Sequence, residues 1–219
     1  RGLGDVYKRQ EKGRMNKELR NRIIDKAAVL FTRHGIKSVT MDYIASQMGI
    51  SKRTLYENFK DKDQLLLECI LYIQKETEDE AEEIYKTAEN SLDLLLKVFQ
   101  STWRKMQNVN RNYFSDVKRY HPSIAQVLDN NRDQRAGYMA SLMEQGKREG
   151  LIRENLKSQI ASFLLMAQFD FLFNSDEVFA SHYSFIDVYE TIFMNFIRGI
   201  ATSKGIMFID EFVDRTENA

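Results

Sequence analysis

Residues Gly49–Leu66 read GISKRTLYENFKDKDQLL, and this stretch decides the fold. Gly49 is a helix stop and Ser51 a helix start. Glycine takes the left-handed conformation that ends a helix, and a serine hydroxyl accepts from the first free N–H groups of the next one. The helix that follows is predicted from Lys52 to about Phe59, and its two faces differ. Leu55 and Phe59 lie one turn apart and face inward. Arg53 and Glu57 then point nearly opposite, with Thr54 and Tyr56 on the flanks. Packing alone does not call for Lys52, Arg53, Thr54 and Tyr56 at the start of a short helix, or for Lys60 and Lys62 just beyond it. Donors of this kind suit a groove lined with phosphates and base edges.

The flanking sequence supplies the rest of a small domain. A first helix is predicted from about Asn16 to His34, with Ile23, Ala27, Leu30, Phe31 and His34 recurring at helical spacing. Gly35 can end it. Thr40 is a good N-cap for a second helix that buries Ile44, Ala45 and Met48 and ends at Gly49. Two short helices joined by a glycine-containing turn form the helix-turn-helix pattern. Asp61 can cap a fourth, long helix from about Lys62 to Thr87, whose acidic run ETEDEAEEIY reads as a solvated face. Beyond it the periodicity predicts helices over about Leu92–Asn108, Arg111–Tyr120, Ser123–Glu149, Leu156–Asn174 and Ser184–Ser203, with a break at His121-Pro122 and a helical tail. No β-alternation of useful length appears.

Composition sets the outer bounds. The chain has 219 residues, 43% of them hydrophobic, enough for a real core. It contains one proline, so helices meet almost no breakers. No apolar run reaches the ~18 residues of a membrane span, and no signal peptide is visible. A single cysteine excludes a disulfide framework and a cysteine-based zinc site. A cytoplasmic protein fits these features. Net charge is zero, but residues 1–64 are basic and residues 65–219 acidic, the arrangement of a polyanion-binding end joined to a body with another task. Residues 1–14, RGLGDVYKRQEKGR, lack an apolar helical pattern, and Met15 is a natural start. They read as a gene-assembly leader outside the fold, with a native basic arm as the other reading.

Taken together, Phe31, Gly35, Thr40, Ile44-Ala45, Gly49-Ile50-Ser51, Leu55-Tyr56, Phe59 and Lys62 form an ordered pattern over residues 20–66. It resembles the N-terminal DNA-binding domain of the TetR family of bacterial transcriptional regulators. The resemblance implies an all-α chain, with a three-helix helix-turn-helix domain at 15–64 and a helical ligand-binding and dimerisation bundle at 65–219. It implies that helix 3 enters the major groove of double-stranded DNA as half of a homodimer on a palindromic operator, with half-sites ~34–36 Å apart. Thr40 and Tyr56 then meet phosphates, as does Lys62. Lys52, Arg53 and Thr54 approach bases, with Ser51 and Lys60 beside them. The sequence departs from the family pattern at Arg53, where a small residue or proline is frequent. An arginine there either pairs bidentately with guanine or grips a phosphate.

The C-terminal body is rich in aromatics and methionine. Trp103, Tyr113, Phe114, Tyr120 and Met139 are candidates to line an adaptable apolar pocket. So are Met143, Phe163, Met166 and Phe169, and the plainer reading is that most of these residues are core. The resemblance implies a small-molecule effector in this body, and the aromatic content suggests an apolar or amphipathic one. The stretches ASFLLMAQFDFLF and YSFIDVYETIFMNFIRGI are apolar around much of the helix, which fits a core or a partner. The resemblance makes Phe171, Phe173, Phe185, Tyr189, Phe193 and Phe196 candidates for a four-helix dimer interface. No catalytic constellation, metal site or cofactor motif is visible, since His34, His121 and His182 lack ligand spacing. The expectation is a dimeric repressor released from DNA by ligand. Alternatives are a ligand-independent DNA-binding protein of the same fold, or an all-helical carrier or enzyme.

Overall fold

The computed structural model describes residues 2–110, 112–129, 132–175, 178 and 182–217. Eleven helices are bounded among them: α1 Gly2–His34, α2 Met41–Met48, α3 Lys52–Asn58, α4 Lys62–Thr87, α5 Ser91–Met106, α6 Asn112–Tyr120, α7 Pro122–Asp129, α8 Arg132–Arg148, α9 Ser158–Asn174, α10 Phe185–Ile200 and α11 Ser203–Glu217. The predicted all-α class holds. α1 starts at Gly2 rather than Asn16, and the sequence before Pro122 contains no proline to stop it. Where one helix was predicted over Ser123–Glu149, α7 and α8 are found, and residues 130 and 131 lie outside the described residues. α10 ends at Ile200, before the predicted Ser203. There Arg153 N–H donates to the Ile200 carbonyl at 2.9 Å and Thr202 N–H to Leu151 at 2.9 Å, drawing the chain into an isolated antiparallel pairing of Ile152 with Ala201.

The chain divides into two compact units, with the boundary between Glu76 and Thr77, inside α4. The sequence had suggested 64/65. The first turns of α4 account for the difference, because Leu65, Leu66, Cys69 and Ile70 are all buried.

The first unit buries Ile23, Ala27, Leu30 and Phe31 of α1, Met41, Ile44 and Ala45 of α2, and Leu55 and Phe59 at α3. His34, predicted for the apolar face of α1, is exposed, and Met48 is only half-buried while Met41 takes the inward place. Gly49 has φ +64°, and its N–H bonds Ser46 while that of Ile50 bonds Ala45, each at 3.1 Å. This is the paired motif that closes a helix at a left-handed residue.

The second unit packs Leu92, Leu95 and Leu96 of α5 with Leu142 and Met143 of α8, Phe193 and Ile197 of α10, and Ile209 and Phe212 of α11. Close approach is built in at Gly205, where a Cβ would fall 2.2 Å from the Leu151 carbonyl oxygen.

Candidate nucleic-acid interface

Local bonds fix how α3 is presented. The Thr40 hydroxyl accepts Tyr43 N–H at 3.1 Å and the Ser51 hydroxyl accepts Thr54 N–H at 3.0 Å, so both predicted N-caps are in place. Asp61 caps α4 through Gln64 N–H at 2.8 Å, and Gln64 reaches back to Lys60 N–H at 2.8 Å. These bonds satisfy helix-start donors that otherwise have no partner. Leu55 and Phe59 are 0% and 1% exposed, so the inward face of α3 is locked.

Most of the predicted DNA-binding set is exposed to solvent. The Arg53 side chain is 88% exposed and Tyr56 50%. Lys52, Ser51, Thr40 and Lys60 are exposed and Thr54 is half-buried. Four features here were not read from the sequence. Arg53 Nε bonds Glu57 Oε1 at 2.8 Å, one turn along the same helix. Lys52 pairs with Asp42 of α2. Arg20 of α1 binds the Asn58 carbonyl and Glu68, holding the last turn of α3. Lys62, predicted to reach a phosphate, donates to the Ile36 carbonyl and lies 5.8 Å from the Phe31 ring centroid. The i,i+4 spacing of Arg53 and Glu57 was legible as a pair, whereas no local signal marked the reach of Arg20 or Asp42.

The predicted pocket and interface residues are divided differently in the second unit. A chain of ring contacts runs from Phe193 through Phe99, Tyr189, Phe169 and Phe173 to Phe114 and Phe185, with centroid separations from 4.0 to 6.3 Å. It thus joins Phe114 and Phe169 of the pocket set with Phe173, Phe185, Tyr189 and Phe193 of the interface set. Burial pushes the Tyr189 hydroxyl above its ordinary pKa, against a hydrogen bond with Thr102 that lowers it. Tyr113, next to Phe114, is buried, and Met143 is fully buried core. Met139 and Phe196 pack against that core, and Met166 is half-buried. Trp103 lies one turn along α5 from Phe99, with its indole N–H buried and without a partner among the described residues.

Tyr120 and Phe163, predicted for the pocket, are instead exposed, and among the predicted interface residues Phe171 alone is exposed. Ile160, Phe163, Leu164 and Phe171 form an apolar outer strip on α9, with Phe163 58% and Phe171 53% exposed. α10 turns Tyr189, Phe193, Ile197 and Ile200 inward, at spacings of three and four residues. A cleft of about 340 Å³ lies elsewhere, lined by Glu80, Ile84, Lys97, Gln100, Ser101, Arg104 and Lys105, none of them a predicted pocket residue. Its charges partly cancel, since Lys105 pairs with Glu80 and Lys97 with Asp93. Bonds from Lys105 and Ser101 hold the Glu80 carboxyl below its ordinary pKa. Among the described residues, no three metal-binding side chains gather, and no helix is long and apolar enough to cross a membrane.

Comparison with known proteins agrees with this geometry. Residues 23–69 match the family profile of the bacterial regulatory proteins, tetR family. An HTH-type transcriptional regulator of Staphylococcus aureus (strain USA300) is 36% identical over 91 residues, covering 37% of this chain and 48% of the relative. The chain therefore spans about half the length of the curated relatives it matches. A transcriptional regulator from Saccharomonospora viridis, solved in complex with choline, superposes with a TM-score of 0.69 at 20% identity, over 85% of this chain and 99% of that one. The ketosteroid transcriptional regulator KstR2 of Mycobacterium tuberculosis gives a TM-score of 0.56 at 17% identity, over 84% and 95%. At such identities the two likenesses establish a shared fold. Residues 23–69, which hold the capped helix-turn-helix, are thus similar to the corresponding part of the bacterial regulatory proteins of the tetR family.

Proposed function

We propose that this protein is a sequence-specific DNA-binding transcriptional regulator, acting in the cytoplasm as a homodimeric repressor on a palindromic operator and released by a small apolar or amphipathic molecule. The observation that carries the reading is the split of α3. Leu55 and Phe59 are locked inward while Arg53 and Tyr56 stand in solvent, on a helix capped at its start by Ser51. Such a helix presents donors to a major groove without unpacking its domain. The second copy is assigned to the α9 strip of Ile160, Phe163, Leu164 and Phe171, an apolar patch that pairing would remove from water.

The effector is assigned to the ring cluster beside Trp103, whose buried indole N–H calls for an acceptor. Two proteins of the same fold support a small-molecule effector: one was solved with choline and the other is named a ketosteroid regulator. Ligand entry moves α4 and alters the spacing of the two recognition helices. Moving such a switch from 1:99 to 99:1 takes ~5.5 kcal/mol of differential affinity.

The test is selection of bound duplexes from a random library. An enriched palindrome, weakened by Arg53→Ala, supports the reading. No enrichment at low salt by the ligand-free protein removes it. A molecule that occupies the body but leaves operator affinity unchanged removes the ligand-released part and leaves ligand-independent DNA binding.

A further inference from the structure

The outward side of α3 carries an acid in its last turn. Glu57 is exposed and sits one turn from Arg53, with Arg53 Nε bonded to Glu57 Oε1 at 2.8 Å. A carboxylate placed there repels the phosphates that α3 has to approach, so it weakens non-specific binding. Helix stability does not explain it well. The i,i+4 pair has its cation N-terminal to its anion, the less favourable order, and the helix is only seven residues long.

What the pair does do is orient. With Nε held by Glu57, the guanidinium edge that carries Nη1 and Nη2 has no partner among the described residues. That edge offers two parallel donors, matched to the O6 and N7 acceptors of guanine. The second carboxylate oxygen of Glu57 is left to accept from the exocyclic amine of cytosine, a contact that no other base offers at that place in the major groove.

Resting on the DNA-binding reading above, we propose that Arg53 and Glu57 form a single reading unit for two adjacent G·C pairs, in which Arg53 reads guanine and Glu57 both positions Arg53 and reads the neighbouring cytosine. Glu57 is then a specificity-determining residue whose net charge lowers affinity for all other sequences.

The experiment is random-duplex selection with the wild type, Glu57→Ala, Glu57→Gln and Arg53→Ala, each first shown to keep its helical content and melting point. The wild type is expected to enrich half-sites with one such step. Glu57→Ala should lower the preference for cytosine about tenfold and relax the guanine beside it, the scale of one good base contact. It should also bind random duplex more tightly at low salt, an effect a merely structural residue would not produce. Glu57→Gln should keep part of the preference, since its carbonyl still accepts. Arg53→Ala should lose the guanine. A wild-type palindrome that Glu57→Ala selects unchanged, with unchanged affinity, overturns this inference alone. A wild type that selects no sequence overturns it together with the DNA-binding reading.

Discussion

The guanidinium of Arg20 lies over the ring of Phe59, 4.2 Å from its centroid, and also binds the Asn58 carbonyl and Glu68. One side chain from α1 thus joins the end of α3 to the start of α4. A cation near the last carbonyls of a helix is favoured there, and a planar one can stack on the ring as well. Arg20→Ala should therefore destabilise the helix-turn-helix unit by about 1–2 kcal/mol, less than a fully buried clamp because the site is partly solvated. Arg20→Lys should recover less than half, since a point charge cannot stack and fork at once. Urea midpoints followed by far-UV circular dichroism measure both. An unchanged midpoint for Arg20→Ala would show that the clamp contributes nothing.

Thr40 serves two proposed purposes that one substitution separates. Its hydroxyl caps α2 at Tyr43 N–H, and the DNA reading gives it a phosphate to meet. Aspartate caps a helix about as well as threonine, so Thr40→Asp should keep stability within about 0.5 kcal/mol. The added negative charge should nonetheless lower operator affinity severalfold, most at low salt. Thr40→Ala should instead lose about 1 kcal/mol of stability. Equal operator binding by Thr40→Asp and the wild type would leave Thr40 a cap and nothing more.

The contrast between Thr40 and Arg20 shows which parts of the fold were legible in the sequence. Caps and stops act over three or four residues, so Thr40, Gly49, Ser51 and Asp61 were readable where they stand. Arg20 acts across 38 residues on Asn58, and no local pattern announces that. Lys62 illustrates a second limit. A lysine at a helix start does not announce that its ammonium reaches a carbonyl 26 residues away, as that of Lys62 reaches Ile36. α9 and α10 show a third. A stretch apolar all round does not reveal its inward face, so Tyr189 and Phe193 were grouped with Phe171, although the first two are core and the last is exposed.

Acid should weaken the second unit through Glu149. Its carboxylate accepts from Ser91 N–H at 2.9 Å and from the Ser91 hydroxyl at 2.6 Å, at the start of α5, and from Gln145 at 2.7 Å. Burial pushes this carboxyl up, but the bonds outweigh it and hold its pKa below the ordinary value. A carboxyl depressed by folding contributes stability above its unfolded pKa of about 4.3 and loses it as pH falls through the lower folded value. Glu149→Gln should therefore melt below the wild type at neutral pH, and the gap should narrow as pH drops below about 4.3. A gap that stays constant down to the acid limb would mean that the charge on Glu149 is not what holds α5 to the end of α8.

The α9 strip yields the last prediction. Leu164 and Phe171 are seven residues apart, on one side of a helix whose other side is packed on α8 and α10. If a second copy covers them, Leu164→Glu and Phe171→Glu each bury a charge at the pairing face, while an isolated chain leaves both carboxylates in water. Sedimentation velocity should then show a dimeric wild type and monomeric variants with unchanged helical content. Tyr85→Glu, at an exposed position on α4 that is not part of this strip, should remain dimeric. The variants should also bind a full palindrome no better than a half-site, because two recognition helices fixed one DNA turn apart exist only in the pair. Dimers that persist in both α9 variants would move the pairing surface off this strip and leave its exposed phenylalanines to another partner.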